Sequence, residues 1–190
     1  MTAVETIGEL FAGPGARDHL GEPVPIGEHM LQAGALAEAA GADAPLVAAA
    51  LLHDIGHLLG ESTGDEPPGG LGGLSPPEDA EERHGETGAR WLGRWFGPAV
   101  TEPVRLHVPA KRYLCAADAG YFGLLSAESV RTLALQGGAM TAAEVTAFEA
   151  LPFSRDAVAV RRWDDEAKDP AIAAPSFAHF APLLAALVRS

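Results

Sequence analysis

Residues 48–59, AAALLHDIGHLL, constrain this chain more than any other stretch. The run reads as buried helix, yet it carries His53, Asp54 and His57. Polar groups withdrawn from water cost several kcal/mol unless partnered, on the order of 2–7 for a neutral group and more for a charge. A fold that accepts this stretch must therefore bring partners to it. On a continuous helix, residues three or four apart share a face, so His53 and Asp54 each align with His57 and all three are aimed at one cavity.

The surrounding pattern is helical as well. β-branched residues never cluster into alternating runs, aromatics are 6% of the chain, and 47% of the residues are apolar, enough for a substantial core in 190 residues. The expected fold is all-α, a helical bundle forming one domain over residues 1–190. Helices are expected at about 3–12 and 25–40, then from Asp43 through the quoted stretch, with Pro45 in its first turn. Residues 60–79, GESTGDEPPGGLGGLSPPED, are expected to form a flexible loop, because their glycines and prolines do not hold regular structure. Further helices follow at about 78–96 with His84, Trp91 and Trp95, at 98–108 with His107, and around KRYLCAADAGY. The rest are expected at 126–136, after the Thr141/Glu144 capping box, at 154–168, and at the end of the chain.

Composition narrows the function. A net charge of −13 excludes the basic stripe that a nucleic-acid backbone demands, but leaves room for a small anion held by a local cluster of cations. The single cysteine, Cys115, precludes an internal disulfide and fits a reducing cytosol. No basic leader precedes an apolar run, and no segment reaches the roughly 18 apolar residues of a membrane span, so a cytoplasmic protein is expected.

The remaining histidines give the HD pair its meaning. His29, His84 and His107 each fall on a separate expected helix, and Asp164 sits in RRWDD. Four imidazoles and two carboxylates suit two borderline transition ions. In that arrangement His29, His53 and Asp164 reach one ion, His84 and His107 the other, and Asp54, with two oxygens, lies between. A ring of cations and hydroxyls accompanies the set: His57 one turn after His53, Lys111 one turn after His107, Arg161 one turn before Asp164, and Ser129 and Thr132 on a shared face. These groups suit a dianionic ligand beside the metals.

The ordered pattern H…HD…H…H…D resembles the HD-domain metalloproteins, an all-α superfamily rich in phosphohydrolases. The segments LGEPVPIGEH, HVPAKRYLCA, SAESVRTLALQGG and RRWDDEAK resemble a narrower branch. These are the mixed-valent di-iron HD oxygenases of phosphonate catabolism, typified by 2-amino-1-hydroxyethylphosphonate dioxygenase. They cleave the carbon–phosphorus bond of 1-hydroxyalkylphosphonates with O2, giving phosphate and a carboxylate such as glycine.

The resemblance implies two iron ions, Fe(II) and Fe(III), bound by His29, His53, Asp54, His84, His107 and Asp164. It implies substrate contacts from His57, Lys111, Ser129, Thr132 and Arg161, with Glu22 recognising an ammonium tail. In the family a tyrosine stands three residues before that glutamate. Here the position is His19, a candidate gating group or extra ligand. The substrate can be the amino, trimethylammonio or hydroxymethyl form. No partner protein is implied. Two other readings share the residues: a metal-dependent phosphohydrolase acting on a nucleotide or small phosphomonoester, and an HD module that senses an anion without chemistry.

Overall fold

The computed structural model describes residues 1–59 and 77–189, and every regular element among them is helical. The α-helices are α1 (Ala3–Ala12), α2 (Ile26–Ala39), α3 (Ala44–Leu52), α4 (Ile55–Leu58), α5 (Pro77–Leu92), α6 (Pro98–Ala117), α7 (Ala127–Leu135), α8 (Ala142–Glu149), α9 (Ser154–Glu166) and α10 (Phe177–Leu187). Local chemistry fixes several starts. Asp43 accepts the Leu46 amide at the head of α3, and Thr141 and Glu144 close the expected capping box at α8.

An apolar cluster drawn from α1–α6, α9 and α10 forms the core, with Met30, Leu51, Leu52, Ile55, Leu92, Val104 and Leu184 fully buried. Each such side chain contributes about 1.5–3 kcal/mol over its exposed state, enough to hold a polar cluster on the same helices against its desolvation. No helix among the described residues is long and apolar enough to cross a membrane.

The AAALLHDIGHLL stretch is not one helix. α3 ends at Leu52, Asp54 leaves helical geometry (φ −101°, ψ 12°), and a single turn, α4, carries His57. The bend falls between two buried apolar groups, Ala48–Leu52 and Ile55, so both flanks stay packed while the polar residues change direction. Gly56 then brings α4 against α5, where a Cβ on Gly56 would lie 2.1 Å from the His84 carbonyl oxygen. Only a residue without a side chain permits that approach.

Two expected helices, 98–108 and the one around KRYLCAADAGY, are one continuous α6 running through Pro103 and Pro109. An internal proline removes one amide hydrogen bond and crowds the carbonyl four residues back. Here α6 lies centrally, packed on α3, α5, α8 and α9, and that burial outweighs the local cost. Helix α5 begins at Pro77, so positions 77–79 of the expected loop are helical, and 60–76 lie outside the described residues. It ends at Leu92 rather than near 96, yet Trp91 and Trp95 still meet edge to face at 4.8 Å within the core.

Candidate active site

Six elements deliver the six ligand candidates: α2 carries His29, the end of α3 His53, the bend Asp54, α5 His84, α6 His107, and α9 Asp164. All are buried except Asp54, which is half-buried. They form two triplets, His29–His53–Asp164 and Asp54–His84–His107. Within each, imidazoles face each other through Nε2, at 3.1 Å for His29 and His53 and 3.0 Å for His84 and His107.

The other ring nitrogen explains which atom is offered. Nδ1 lies 2.8 Å from the Ala167 carbonyl in His29, 2.8 Å from the Ala50 carbonyl in His53, and 2.6 Å from the Val104 carbonyl in His107. A carbonyl only accepts, so Nδ1 holds the proton and the neutral ring presents a lone pair at Nε2. Nitrogen atoms this close either share a proton or, when both rings offer lone pairs, suit a shared cation. Ligand atoms about 2.1 Å from one ion and at right angles to each other lie about 3 Å apart, the spacing found here. The donor set therefore fits two first-row transition ions.

Asp54 spans the two triplets. Its Oδ2 lies 3.3 Å from His53 Nε2 and 3.6 Å from His29 Nε2, while Oδ1 lies 3.3 Å from His84 Nε2 and 3.4 Å from His107 Nε2. One carboxylate thus faces both pairs, an oxygen for each. Burial alone would favour its neutral form, but the surrounding imidazoles hold its pKa well below the usual range. Asp164 behaves alike: burial opposes ionisation, and Arg161, whose Nη1 lies 2.7 Å from Oδ2, overrides it together with Lys168. Among the histidines, burial would lower His29, but without a metal Asp164 and Asp54 raise it to about 9, so a cation at its Nε2 takes the place of a proton; burial dominates at His107 and lowers it.

A cavity of about 80 Å³ opens beside the triplets. His57, Lys111, Ser129, Thr132 and Arg161 all line it. His57 stacks on the His84 ring at 4.2 Å, so it reaches the cavity from beside a ligand candidate, although α4 is separate from α3. Lys111 is buried and donates to Thr132 Oγ1 at 2.7 Å. The Thr132 proton is shared between the Glu128 and Ser129 carbonyls, 3.1 and 3.2 Å away, so this hydroxyl orients Lys111. Burial first, and Arg161 second, push Lys111 down to about 8. Glu22 and His19 line the outer part. His19 is exposed, its Nδ1 3.2 Å from the Glu22 carbonyl, and it joins neither triplet.

Four contributors escaped the sequence reading. Lys168, just past the end of α9, lies 2.9 Å from Glu22 Oε1, 3.1 Å from Ser129 Oγ and 3.8 Å from Asp164 Oδ1. Its position four residues after Asp164 was the available signal. Ser126, the cap of α7, donates to Glu22 Oε1 at 2.7 Å. Tyr121 and Asp165 grip the Arg161 guanidinium from behind, with Tyr121 also donating to Asp165.

Residues 26–137 match the HD domain family. Over 186 residues, 97% of this chain and 90% of the relative, the sequence is 42% identical to a [1-hydroxy-2-(trimethylamino)ethyl]phosphonate dioxygenase (glycine-betaine-forming) of Leisingera caerulea. The chain belongs to the HD-domain phosphonate dioxygenases. A hydroxymethylphosphonate dioxygenase of Gimesia maris is 48% identical over 153 residues, 80% of this chain and 72% of the relative. An uncharacterised protein of Acanthamoeba polyphaga mimivirus is 34% identical over 165 residues, 87% of this chain and 72% of the relative. Membership in this family implies metal binding and the use of O2, and the two triplets are groups of residues that could hold the metal.

Proposed function

We propose that the chain is a di-iron oxygenase that cleaves the C–P bond of a 1-hydroxyalkylphosphonate, consuming one O2 and releasing phosphate and a carboxylate. The atoms balance without an external reductant: substrate plus O2 equals carboxylic acid plus phosphate, with C–H and C–P broken and O2 supplying the oxygen gained. The observation that carries this reading is Asp54, which turns one oxygen to each imidazole pair beside a cavity lined with cations. His29, His53 and Asp164 would hold one iron, His84 and His107 the other, and Asp54 would bridge them. The bound irons would supply the redox chemistry with oxygen.

The protein's own share is positioning and charge balance. Lys111 and Arg161 offset the phosphonate dianion, with His57 as a third donor from the His84 side, and charge-assisted bonds of this type are the strong ones. The Ser129 hydroxyl reaches the same space, while Thr132 fixes the Lys111 ammonium. Tyr121 and Asp165 keep the guanidinium of Arg161 in place, so its fork is preorganised for a tetrahedral anion. Leu20, Val24, Ile26 and Val108 supply an apolar side to the same cavity.

Phosphate release from a panel of 1-hydroxyphosphonates, measured on iron-loaded protein with and without oxygen, tests the proposal. Release is expected only with oxygen, accompanied by a paramagnetic signal from a mixed-valent iron pair. Release from phosphomonoesters without oxygen, supported by zinc or manganese alone, would identify a phosphohydrolase instead.

A further inference from the structure

Two hydroxyls line the cavity, those of Ser129 and Thr132, and their protons point to different places. A hydroxyl has one proton to give and two lone pairs to offer. Thr132 Oγ1 accepts from Lys111 at 2.7 Å, and its own proton lies between the Glu128 and Ser129 carbonyls, at 3.1 and 3.2 Å. That proton is committed to backbone. Ser129 Oγ accepts from Lys168 Nζ at 3.1 Å and, over a longer 3.5 Å, from Arg161 Nη2. Neither cation takes a proton in return, and among the described residues no acceptor meets the Ser129 hydroxyl. Its proton is left for an anion in the cavity.

Lys168 directs this hydroxyl because it is itself held. Its Nζ lies 2.9 Å from Glu22 Oε1 and 3.8 Å from Asp164 Oδ1, so two carboxylates fix the ammonium. Ser126 closes a ring: its Oγ donates to the same Glu22 oxygen at 2.7 Å and accepts the Ser129 amide at 3.0 Å. Both contacts to Glu22 fall on Oε1, and Oε2 takes no part in the ring. The Lys168 side chain is only 14% exposed, which shelters these bonds from the screening that weakens exposed pairs.

We propose that Lys168 is a positioning residue: held by Glu22 and Asp164, it donates to Ser129 Oγ and turns the Ser129 proton toward the phosphonate. The inference rests on the oxygenase reading for its ligand and deepens it by adding a residue that acts on the substrate through another. A freely rotating hydroxyl would meet the incoming dianion with a lone pair as readily as with a proton. Fixing the rotor beforehand removes that ordering cost, and a hydroxyl donating to an anion makes one of the short, strong hydrogen bonds.

A double-mutant cycle on iron-loaded protein without oxygen tests this, with ligand binding read by calorimetry and iron content per chain measured alongside. The ligands are hydroxymethylphosphonate and inorganic phosphate, which presents a similar tetrahedral anion whatever reaction the site performs. Ser129→Ala is expected to weaken binding on the order of tenfold, the effect of one hydrogen bond to a charged group. Lys168→Met keeps the length of the side chain and donates nothing. It is expected to weaken binding by a similar factor in the wild-type background and by less than about threefold in Ser129→Ala, with iron content unchanged. Equal factors in the two backgrounds overturn the proposal, since they mark Lys168 as a direct anion contact or a general source of positive charge. Unchanged binding in Lys168→Met overturns it too, as does loss of iron from that variant, or a wild-type protein that binds neither ligand. If the Lys168→Met chain fails to fold, Lys168→Gln carries the same cycle against the same outcomes. Phosphate release with oxygen is scored separately: its absence for every 1-hydroxyphosphonate, with the coupling between Lys168 and Ser129 intact, sinks the oxygenase reading and leaves the positioning role standing.

Discussion

Gly56→Ala is the sharpest test of how the site is built. The new Cβ would stand 2.1 Å from the His84 carbonyl oxygen, where real Cβ atoms essentially never approach closer than 3.0 Å. The obstacle is backbone, so no rotamer change relieves it. Helices α4 and α5 must separate by roughly 1 Å, taking His84 away from His107 and Asp54. Overpacking of this kind costs about 1–3 kcal/mol, which for a chain of this size lowers Tm by about 2–12 °C. A displacement of about 1 Å at a reacting centre costs on the order of 100-fold in rate. Differential scanning calorimetry, iron content per chain and oxygen-dependent phosphate release read the three effects. Gly123→Ala, which meets nothing within 4 Å, is the control and should leave all three near wild type. A Gly56→Ala protein with unchanged Tm and two irons would refute the close packing of α4 on α5 and the placement of His84 that depends on it.

Asp54→Ala removes the carboxylate that faces both imidazole pairs, and elemental analysis should find metal pairing lost; two irons per chain in the purified variant would contradict a bridge. Lys111→Ala should raise KM by about 10- to 150-fold, equivalent to about 1.5–3 kcal/mol of charge-assisted bonding, with iron content little changed; unaltered kinetics would remove Lys111 from substrate binding. Because Lys111 titrates at about 8 in the free protein, it is charged below that pH and neutral above it. The value of kcat/KM should therefore fall as pH rises through about 8, and a profile flat across that range would count against the role. The same shift has a stability consequence: an unfolded lysine keeps its proton to about 10.5, so the unfolded chain binds more protons between about 8 and 10.5, and the contribution of Lys111 to stability rises with pH across that window.

What could be read from the sequence was set by contrast. His53 stands in an apolar helical run where an unpartnered polar group is expensive, and His29, His84 and His107 each fall on a separate helix, so a common destination was legible before any geometry, although His84 itself lies in the polar stretch EERHGET. The bend at Asp54 was not, because the one local cue in LLHDIGHLL, Gly56, is tolerated inside helices and does not by itself mark a break. The signal is the backbone contact of Gly56 on α5, which is long-range. The continuity of α6 through Pro103 and Pro109 was hidden for a related reason: local propensity says break, and burial against four neighbouring helices says continue. Lys168 was missed although it lies one turn after Asp164, since charged residues near a helix end ordinarily face solvent. Its partners, Glu22 and Ser129, lie far away in the chain.

The two triplets also differ in when they can exist. Asp54, His84 and His107 lie within one stretch of α3 to α6, all of it made before α7 leaves the ribosome. His29 and His53 must wait for Asp164, near the end of α9. Synthesis proceeds from the N-terminus at about 5–20 residues per second, so one half of the site has its full set of donors several seconds earlier than the other. A chain cut between α8 and α9 would retain the Asp54–His84–His107 donors and lack the third donor of the other triplet. Asp54 belongs to the early half and faces the late one, which makes it the point where the second half is registered against the first.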